Sequence, residues 1–351
     1  MATLIPILAA LLAFAISYYA CELMKRTGVT DAPDGKRKTQ RAPVPRLGGV
    51  GVMLAIAIVF ALLALTYGLL PVTGGSDWLP GPAPVTAIAL AASVLLAGVG
   101  AWDDIHNLAP STKLGFIAII CIAAPMLGVA APSLDSPFGT LTLTAAMVAG
   151  SALWLIVFSN AANFMDGSNG LSLGSLAVMF AGLGACQAAE AGGVFPAGLL
   201  VIIAAIGAFL VHNMRGTLYA GDAGAFGLGG LFATLALISG LPVWSIATLA
   251  LPFLIDVLLT LILRAKRHDP WFEAHTDHAY QALRRTGWSH LDVAVLWWSL
   301  SAACAVAAAI GVSGGGALPF ILFWLIAITL SGCWFAVLHK TRDHLPGSVG
   351  G

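Results

Sequence analysis

Charge is what this chain of 351 residues has least of: Asp, Glu, Lys and Arg together make up 9% of it, against about 25% in an ordinary soluble domain. So little charge excludes a soluble globular enzyme. Neither sign is in excess, with 16 basic and 16 acidic residues, so the net charge points to no nucleic-acid partner. Cysteine is scarce as well. Cys21, Cys121, Cys186, Cys304 and Cys333 are scattered with no CxxC pair, which excludes a disulfide or zinc framework and leaves five small packing residues. Long polar stretches are also missing. The longest, Lys25 to Arg46 and Arg264 to His290, are the size of connecting loops and cannot form separate cores. A single integral domain over residues 1–351 is expected, with no internal repeat evident in it.

What the chain has in abundance is apolar sequence. Hydrophobic residues make up 59% of it, and the mean hydropathy of +0.93 is spread along the whole length. A membrane-crossing helix needs roughly 20 apolar residues. Reading apolar runs between polar, Gly or Pro breaks gives about eleven such spans. They are Leu4–Met24, Leu47–Leu70, Val85–Trp102, Leu114–Ala131, Leu141–Ser159, Leu171–Ala189, Val194–His212, Ala225–Gly240, Val243–Leu263, Leu291–Val312 and Leu318–Leu338. Unpaired backbone cannot face lipid, and the runs lack the alternation of a barrel strand, so the fold class expected is an all-α, polytopic membrane helical bundle. With the first span running outside to inside, all 16 basic residues fall on inner segments. The positive-inside rule then puts the N-terminus outside and the C-terminus in the cytoplasm. Lys25 and Arg26 follow the first span and no basic stretch precedes it, which reads as a retained helix.

Polar residues that a membrane penalises collect at the expected inner ends of spans. Trp102-Asp103-Asp104-Ile105-His106 closes the third span. Adjacent carboxylates repel unless a cation or proton lies between them, and Mg²⁺ bridging to a substrate phosphate suits such hard oxygen ligands, though two solvated acids at a helix end read equally well. Ser159 to Gly170 carries Asn160, Asn163 and Asp166 with Gly167 and Gly170. The two asparagines share a helical face, and the glycines let backbone turn tightly beside a ligand. In the run His212 to Gly224, Asp222 lies near glycines at a helix start, where metal and phosphate can approach, though taken alone an acid there reads first as a cap or dipole partner, and Tyr219 can stack on a base. The loop Arg264 to His290 sets His268, His275, His278 and His290 among basic residues, a composition suited to gripping pyrophosphate. The first inner loop, Asp31 to Gly49, joins prolines, paired glycines and bases including Arg41, and suits an anionic substrate or a positive-inside anchor. Asp256, inside the ninth span, is either functional or a helix–helix hydrogen-bonding group.

In order and on one expected face, these motifs resemble those of the polyprenyl-phosphate N-acetylhexosamine-1-phosphate transferases. The resemblance rests on Asp31-Ala32-Pro33, Pro43-Val44-Pro45-Arg46-Leu47-Gly48-Gly49, Asp103-Asp104, Asn160-x-x-Asn163-x-x-Asp166-Gly167 and Gly221-Asp222-Ala223-Gly224. It implies transfer of a sugar 1-phosphate from a UDP-N-acetylhexosamine to undecaprenyl phosphate at the cytoplasmic face of a bacterial inner membrane, releasing UMP and starting a surface glycan. The family's usual His-x-His-His cluster is replaced by His275-Thr276-Asp277-His278-Ala279-Tyr280-Gln281. That version is similar to the O-antigen-initiating branch, which implies a 6-deoxyhexosamine such as N-acetylfucosamine or N-acetylquinovosamine. N-acetylglucosamine is the alternative within the family.

The resemblance further implies Mg²⁺, with Mn²⁺ as substitute, held by Asp222 and supported by Asp104. Asp103 would deprotonate or orient the lipid phosphate. Asn160 and Arg41 would hold the nucleotide-sugar, Asn163 and Asp166 would hold it or complete the metal's outer shell, Asn213 and Tyr219 would meet the uracil, and Arg264, His275 and His278 the pyrophosphate or sugar. Membrane lipids are expected partners, nucleic acid is not, and a homodimer stays open. From another class, a transporter or flippase of an anionic solute would also need polar groups in a bundle, but near the bilayer midplane.

Overall fold

The computed structural model describes residues 4–32, 42–67, 78–190, 192–269 and 276–341. Arg41 and His275, both expected at the site, lie outside the described residues. Each of the eleven apolar runs contains a helix: α1 (Leu4–Met24), α2 (Gly48–Tyr67), α3 (Ala83–His106), α4 (Pro110–Met126), α5 (Thr144–Phe164), α6 (Leu171–Ala189), α7 (Gly198–Asn213), α8 (Gly221–Leu237), α9 (Val243–Lys266), α11 (His290–Gly314) and α12 (Leu318–Lys340). A twelfth, the seven-residue α10 (Ala279–Arg285), lies in the loop after α9. Among the described residues, eight helices are long and apolar enough to cross a membrane; α4, α7 and α8 are apolar but shorter.

The expected all-helical bundle holds among the described residues; the expected helix ends need correcting. Small antiparallel pairs accompany the helices, β1 (Thr30–Asp31) with β2 (Val44–Pro45) and β3 (Leu134–Ser136) with β4 (Gly139–Leu141). Helices also run past the apolar stretches that foretold them: α3 continues through Asp103 and Asp104, α5 through Asn160 and Asn163. Backbone hydrogen bonding does not stop where side chains turn polar, so the chemistry-bearing residues ride on the last helical turns. Local signals set the other boundaries. Proline opens α3, α4 and α12, where its missing N–H costs nothing. The hydroxyl of Ser289 accepts from Asp292 N at 3.1 Å while Asp292 accepts from Ser289 N at 2.8 Å, starting α11.

Helix α8 is the axis of the bundle. Every residue from Ala223 to Leu237 is buried, and α2, α3, α5 and α6 pack around it. Its glycines permit this, since helices without a hydrophobic driving force in lipid associate through close backbone packing. A Cβ at Gly49 of α2 would collide with Gly224 of α8, and one at Gly100 of α3 with the backbone of Asp222. At the periphery, Leu11 on α1 and Leu325 and Ile328 on α12 are exposed at 62%, 59% and 69%, which suits contact with lipid. Asp222 therefore stands at the N-terminal end of the most enclosed helix, at the same end of the bundle as the last turns of α3 and α5.

Candidate active site

Successive residues on a helix point about 100° apart, so Asp103 and Asp104 do not form a shared pair. Asp104, 3% exposed, reaches the start of α8: its Oδ1 accepts from Asp222 N at 3.2 Å and its Oδ2 from Ala223 N at 3.1 Å. It caps a helix to which it does not belong, satisfying amides that no residue inside α8 can satisfy. Arg46, from the Pro-Val-Pro-Arg run, places Nε 3.7 Å from Asp104 Oδ1 and donates to the Asp104 carbonyl and, at 3.1 Å, to Asn107 Oδ1. Gly221, at φ 68°, passes so close to Asp104 and the Arg46 carbonyl that a side chain there would collide with both.

Asp103 turns the other way. Its Oδ1 accepts from Leu108 N at 2.7 Å and its Oδ2 from Lys113 Nζ at 2.9 Å. Lys113 Nζ also lies 2.6 Å from Asp222 Oδ2, and Asn163 Nδ2 donates to Asp222 Oδ1 at 2.9 Å. One ammonium thus bridges Asp103 and Asp222, while α5 holds the other oxygen of Asp222. The sequence counts Lys113 only among the positive-inside bases. Its signal was a lone lysine at the start of α4, ten residues past Asp103, where two apolar runs meet.

Asp222 opens on a cavity of about 690 Å³ whose lining includes Arg46, Asp104, Asn163, Asp166, Asn213 and Tyr219, with Ser168, Asn169, Gln281, Arg284 and His290 in the wall; Asp103 and Lys113 stand behind Asp222 and do not line it. Asp166 follows α5 in the loop; burial, then the negative charges of Asp222 and Asp104, hold its carboxyl well above the usual carboxylate range. Asn213 ties two loops together, its Oδ1 accepting from Gly170 N at 2.6 Å and its Nδ2 donating to Leu218 O at 3.0 Å. Tyr219 hydrogen-bonds through its backbone to Pro45 and Gly48 of the first loop. Burial and the neighbouring Asp31 push its phenol up. His290 joins the two sides of the wall: Nδ1 lies 2.8 Å from Ser168 Oγ and Nε2 3.0 Å from Arg284 Nη2.

Three expected ligand residues stand elsewhere. Asn160 donates to Ile156 O within α5 at 2.8 Å. Arg264 binds Asp277 at 2.7 Å, and His278 packs between the rings of Phe164 and Tyr280, at 5.9 and 5.7 Å, with Nδ1 3.7 Å from Asp256. None of the three lines the cavity. Polar side chains near a membrane edge must be satisfied by something, and here the protein itself supplies the partners. From the 264–290 loop it is Gln281, Arg284 and His290, included in the sequence reading without an individual role, that line it. They lay within or beside quoted motifs but carried no spacing that marked them.

The donor chemistry can be tested against Mg²⁺. Among the described residues there is no cluster of three or more His, Cys, Asp or Glu that could hold a metal. Asp222 and Asp166 nonetheless face one cavity with their charges opposed. One or two carboxylates completed by water and substrate phosphate is how Mg²⁺ is commonly held, so the set fits that ion.

The pattern of Glycosyl transferase family 4 matches residues 86–240, the stretch from α3 to the end of α8 that carries both acidic motifs and the asparagine run. A phospho-N-acetylmuramoyl-pentapeptide-transferase of a Synechococcus species is 30% identical over 75% of this chain and 77% of its own. The chain belongs to glycosyl transferase family 4. The phospho-N-acetylmuramoyl-pentapeptide-transferase of Lactobacillus gasseri is 26% identical, over 78% of this chain and 87% of its own. A Bacillus subtilis protein named as a probable undecaprenyl-phosphate N-acetylglucosaminyl 1-phosphate transferase is 27% identical, over 86% and 82%. This member of family 4 is accordingly a membrane phosphoglycosyltransferase, and the transporter class falls away.

Proposed function

We propose that this family 4 enzyme transfers an N-acetylhexosamine 1-phosphate from a UDP-sugar to undecaprenyl phosphate and releases UMP, at the cytoplasmic face of a bacterial inner membrane. The observation that carries the reading is Asp222. It stands at the start of the central helix, between Lys113 and Asn163, on a polar cavity of about 690 Å³ that is large enough for a nucleotide-sugar.

Both reactants are anions, so the barrier to overcome is their repulsion. Asp222 with Asp166 would hold Mg²⁺, which when bound neutralises charge on the pyrophosphate. Asp104, with both oxygens engaged by backbone, keeps Asp222 in place. Lys113 and Arg46 bring positive charge to the same end of the cavity, and Tyr219 offers a face for the base. The lipid phosphate oxygen attacks the sugar-linked phosphorus, and a new P–O bond forms as the bond to UMP breaks. The electron pair leaves with UMP, whose phosphate takes the charge. Asp103 stands where this acceptor would arrive: beside it Trp102 and Ile105 are exposed at 46% and 50%, and the ring of Trp102 lies 5.4 Å from that of Phe116. Such a patch at a membrane edge suits an isoprenoid tail, with Asp103 and Lys113 orienting its phosphate.

The sugar we favour is an N-acetylated 6-deoxyhexosamine, and what supports it is the replacement of family histidines by Tyr280 and Gln281. Tyr280 is buried, donating to Phe164 O at 3.0 Å, while Gln281 lines the cavity. The Bacillus subtilis relative keeps N-acetylglucosamine as the second reading. Purified enzyme given undecaprenyl phosphate, Mg²⁺ and a panel of UDP-N-acetylhexosamines should release UMP with one sugar preferred, and Asp222→Asn should lower the rate by at least about 100-fold. Lipid-independent release, or full activity of the variant, would sink the proposal.

A further inference from the structure

The mechanism above leaves unused one buried acid, Asp256, 1% exposed in the middle of α9. Its Oδ1 accepts from Ala279 N at 2.8 Å and from the Trp334 indole Nε1 of α12 at 2.9 Å, and its Oδ2 lies 3.5 Å from Tyr280 N. Ala279 and Tyr280 open α10. A seven-residue helix is too short to hold itself together in water, so its orientation depends on what grips it. Asp256 grips its first amides from a neighbouring helix, and Trp334 fixes the carboxylate that does so.

The far side of α10 is functional surface. Gln281 and Arg284 line the cavity, and Arg284 reaches His290, which in turn meets Ser168. Tyr280 lies beneath the Asp166 loop: its hydroxyl donates to Phe164 O, and a Cβ on Gly167 would strike that hydroxyl. A shift of α10 therefore moves the Gln281–Arg284 wall and the floor under Asp166 together. It does not touch Asp103 and Lys113, which are held by α3 and α4.

We infer that Asp256 is a positioning residue for nucleotide-sugar binding: with Trp334 it docks α10 so that Gln281 and Arg284 face the donor substrate, and it acts on donor and not on acceptor. This rests on the transferase reading above. The test uses the full chain in detergent, with Asp256→Asn and Trp334→Phe compared with wild type by steady-state kinetics in both substrates and by hydrogen–deuterium exchange. Asp256→Asn keeps one acceptor oxygen and Trp334→Phe removes only the indole N–H. The expected result for Asp256→Asn is a KM for the UDP-sugar raised about fivefold or more, with KM for undecaprenyl phosphate within about twofold. Trp334→Phe should move the donor KM in the same direction by less, and amides of residues 279–285 should exchange faster in both variants. An equal rise in both KM values, or unchanged donor KM with unchanged exchange over 279–285, would overturn the inference. Should Asp256→Asn fail to fold, Trp334→Phe decides by the same readouts. A wild-type protein that releases no UMP refutes the transferase reading, while the exchange data still test whether Asp256 docks α10.

Discussion

Carboxylates and cations crowd the site end of the bundle, and their partners separate roles that sequence spacing merges. Asp103 and Asp104 are neighbours in sequence yet serve different helices, one joined to Lys113 on α4 and the other capping α8. Asp166 is the acid whose charge the fold opposes most plainly, through burial and then through Asp222 and Asp104. A folded-state pKa above the unfolded value means the protonated form is favoured. The stability it gives is present in full below the unfolded value of about 4 and is lost as pH rises through the folded value. Metal-free protein should therefore lose stability on this account as pH rises from about 4 upward, and Asp166→Asn should not. Thermal unfolding of both across that range should show the variant gaining on wild type by at least about 2 °C, and Mg²⁺ should narrow the gap, because a cation does the work of the proton. A gap that stays constant with pH would refute this account of Asp166. The acid motifs were legible because charge at a membrane edge is costly. The role of Lys113 was not, nor was it legible which members of the 264–290 loop reach the cavity, since a single polar residue acquires meaning only from what the fold places opposite it.

At the scale of elements, glycine decides how closely helices approach. Gly49 on α2 and Gly224 on α8 meet backbone to backbone, whereas Gly98 on α3 has open space where a Cβ would stand. A methyl group at position 49 has no flexible side chain to push aside, so Gly49→Ala should cost on the order of 2–4 kcal/mol. Gly98→Ala should cost nothing and gain up to about 1 kcal/mol from helix propensity. Melting temperatures in one detergent compare the two directly, and a tolerated Gly49→Ala would refute the close crossing. The helices themselves were legible, α1 and α6 to the residue, because long apolar runs admit no other structure in lipid. Their polar ends were not, because hydropathy falls before the helix stops, as at Asp104 and Asn163. Nor was α10, whose seven residues are held by Asp256 and Trp334 from outside its own sequence.

At the scale of the whole molecule, function depends on which face of the membrane the cavity opens to. A soluble nucleotide-sugar is made in the cytoplasm, so the site end of the bundle must face inward if the proposed reaction is right. The basic residues argue for the same direction: Arg46 and Lys113 stand at the site end of the bundle, paired with Asp104 and Asp222, while the hairpin β3–β4 between α4 and α5 carries Asp135 and no basic residue. Of the native cysteines four are buried and Cys333 is exposed on α12, so a background with Cys333→Ser leaves little thiol to react. In that background Ser136→Cys on the exposed hairpin and Ser111→Cys at the start of α4 lie at opposite ends of α4. A membrane-impermeant maleimide added to intact spheroplasts should label position 136 at once and position 111 only after the membrane is opened. The reverse order would place the cavity outside, away from any supply of UDP-sugar, and would remove the proposed reaction along with the orientation.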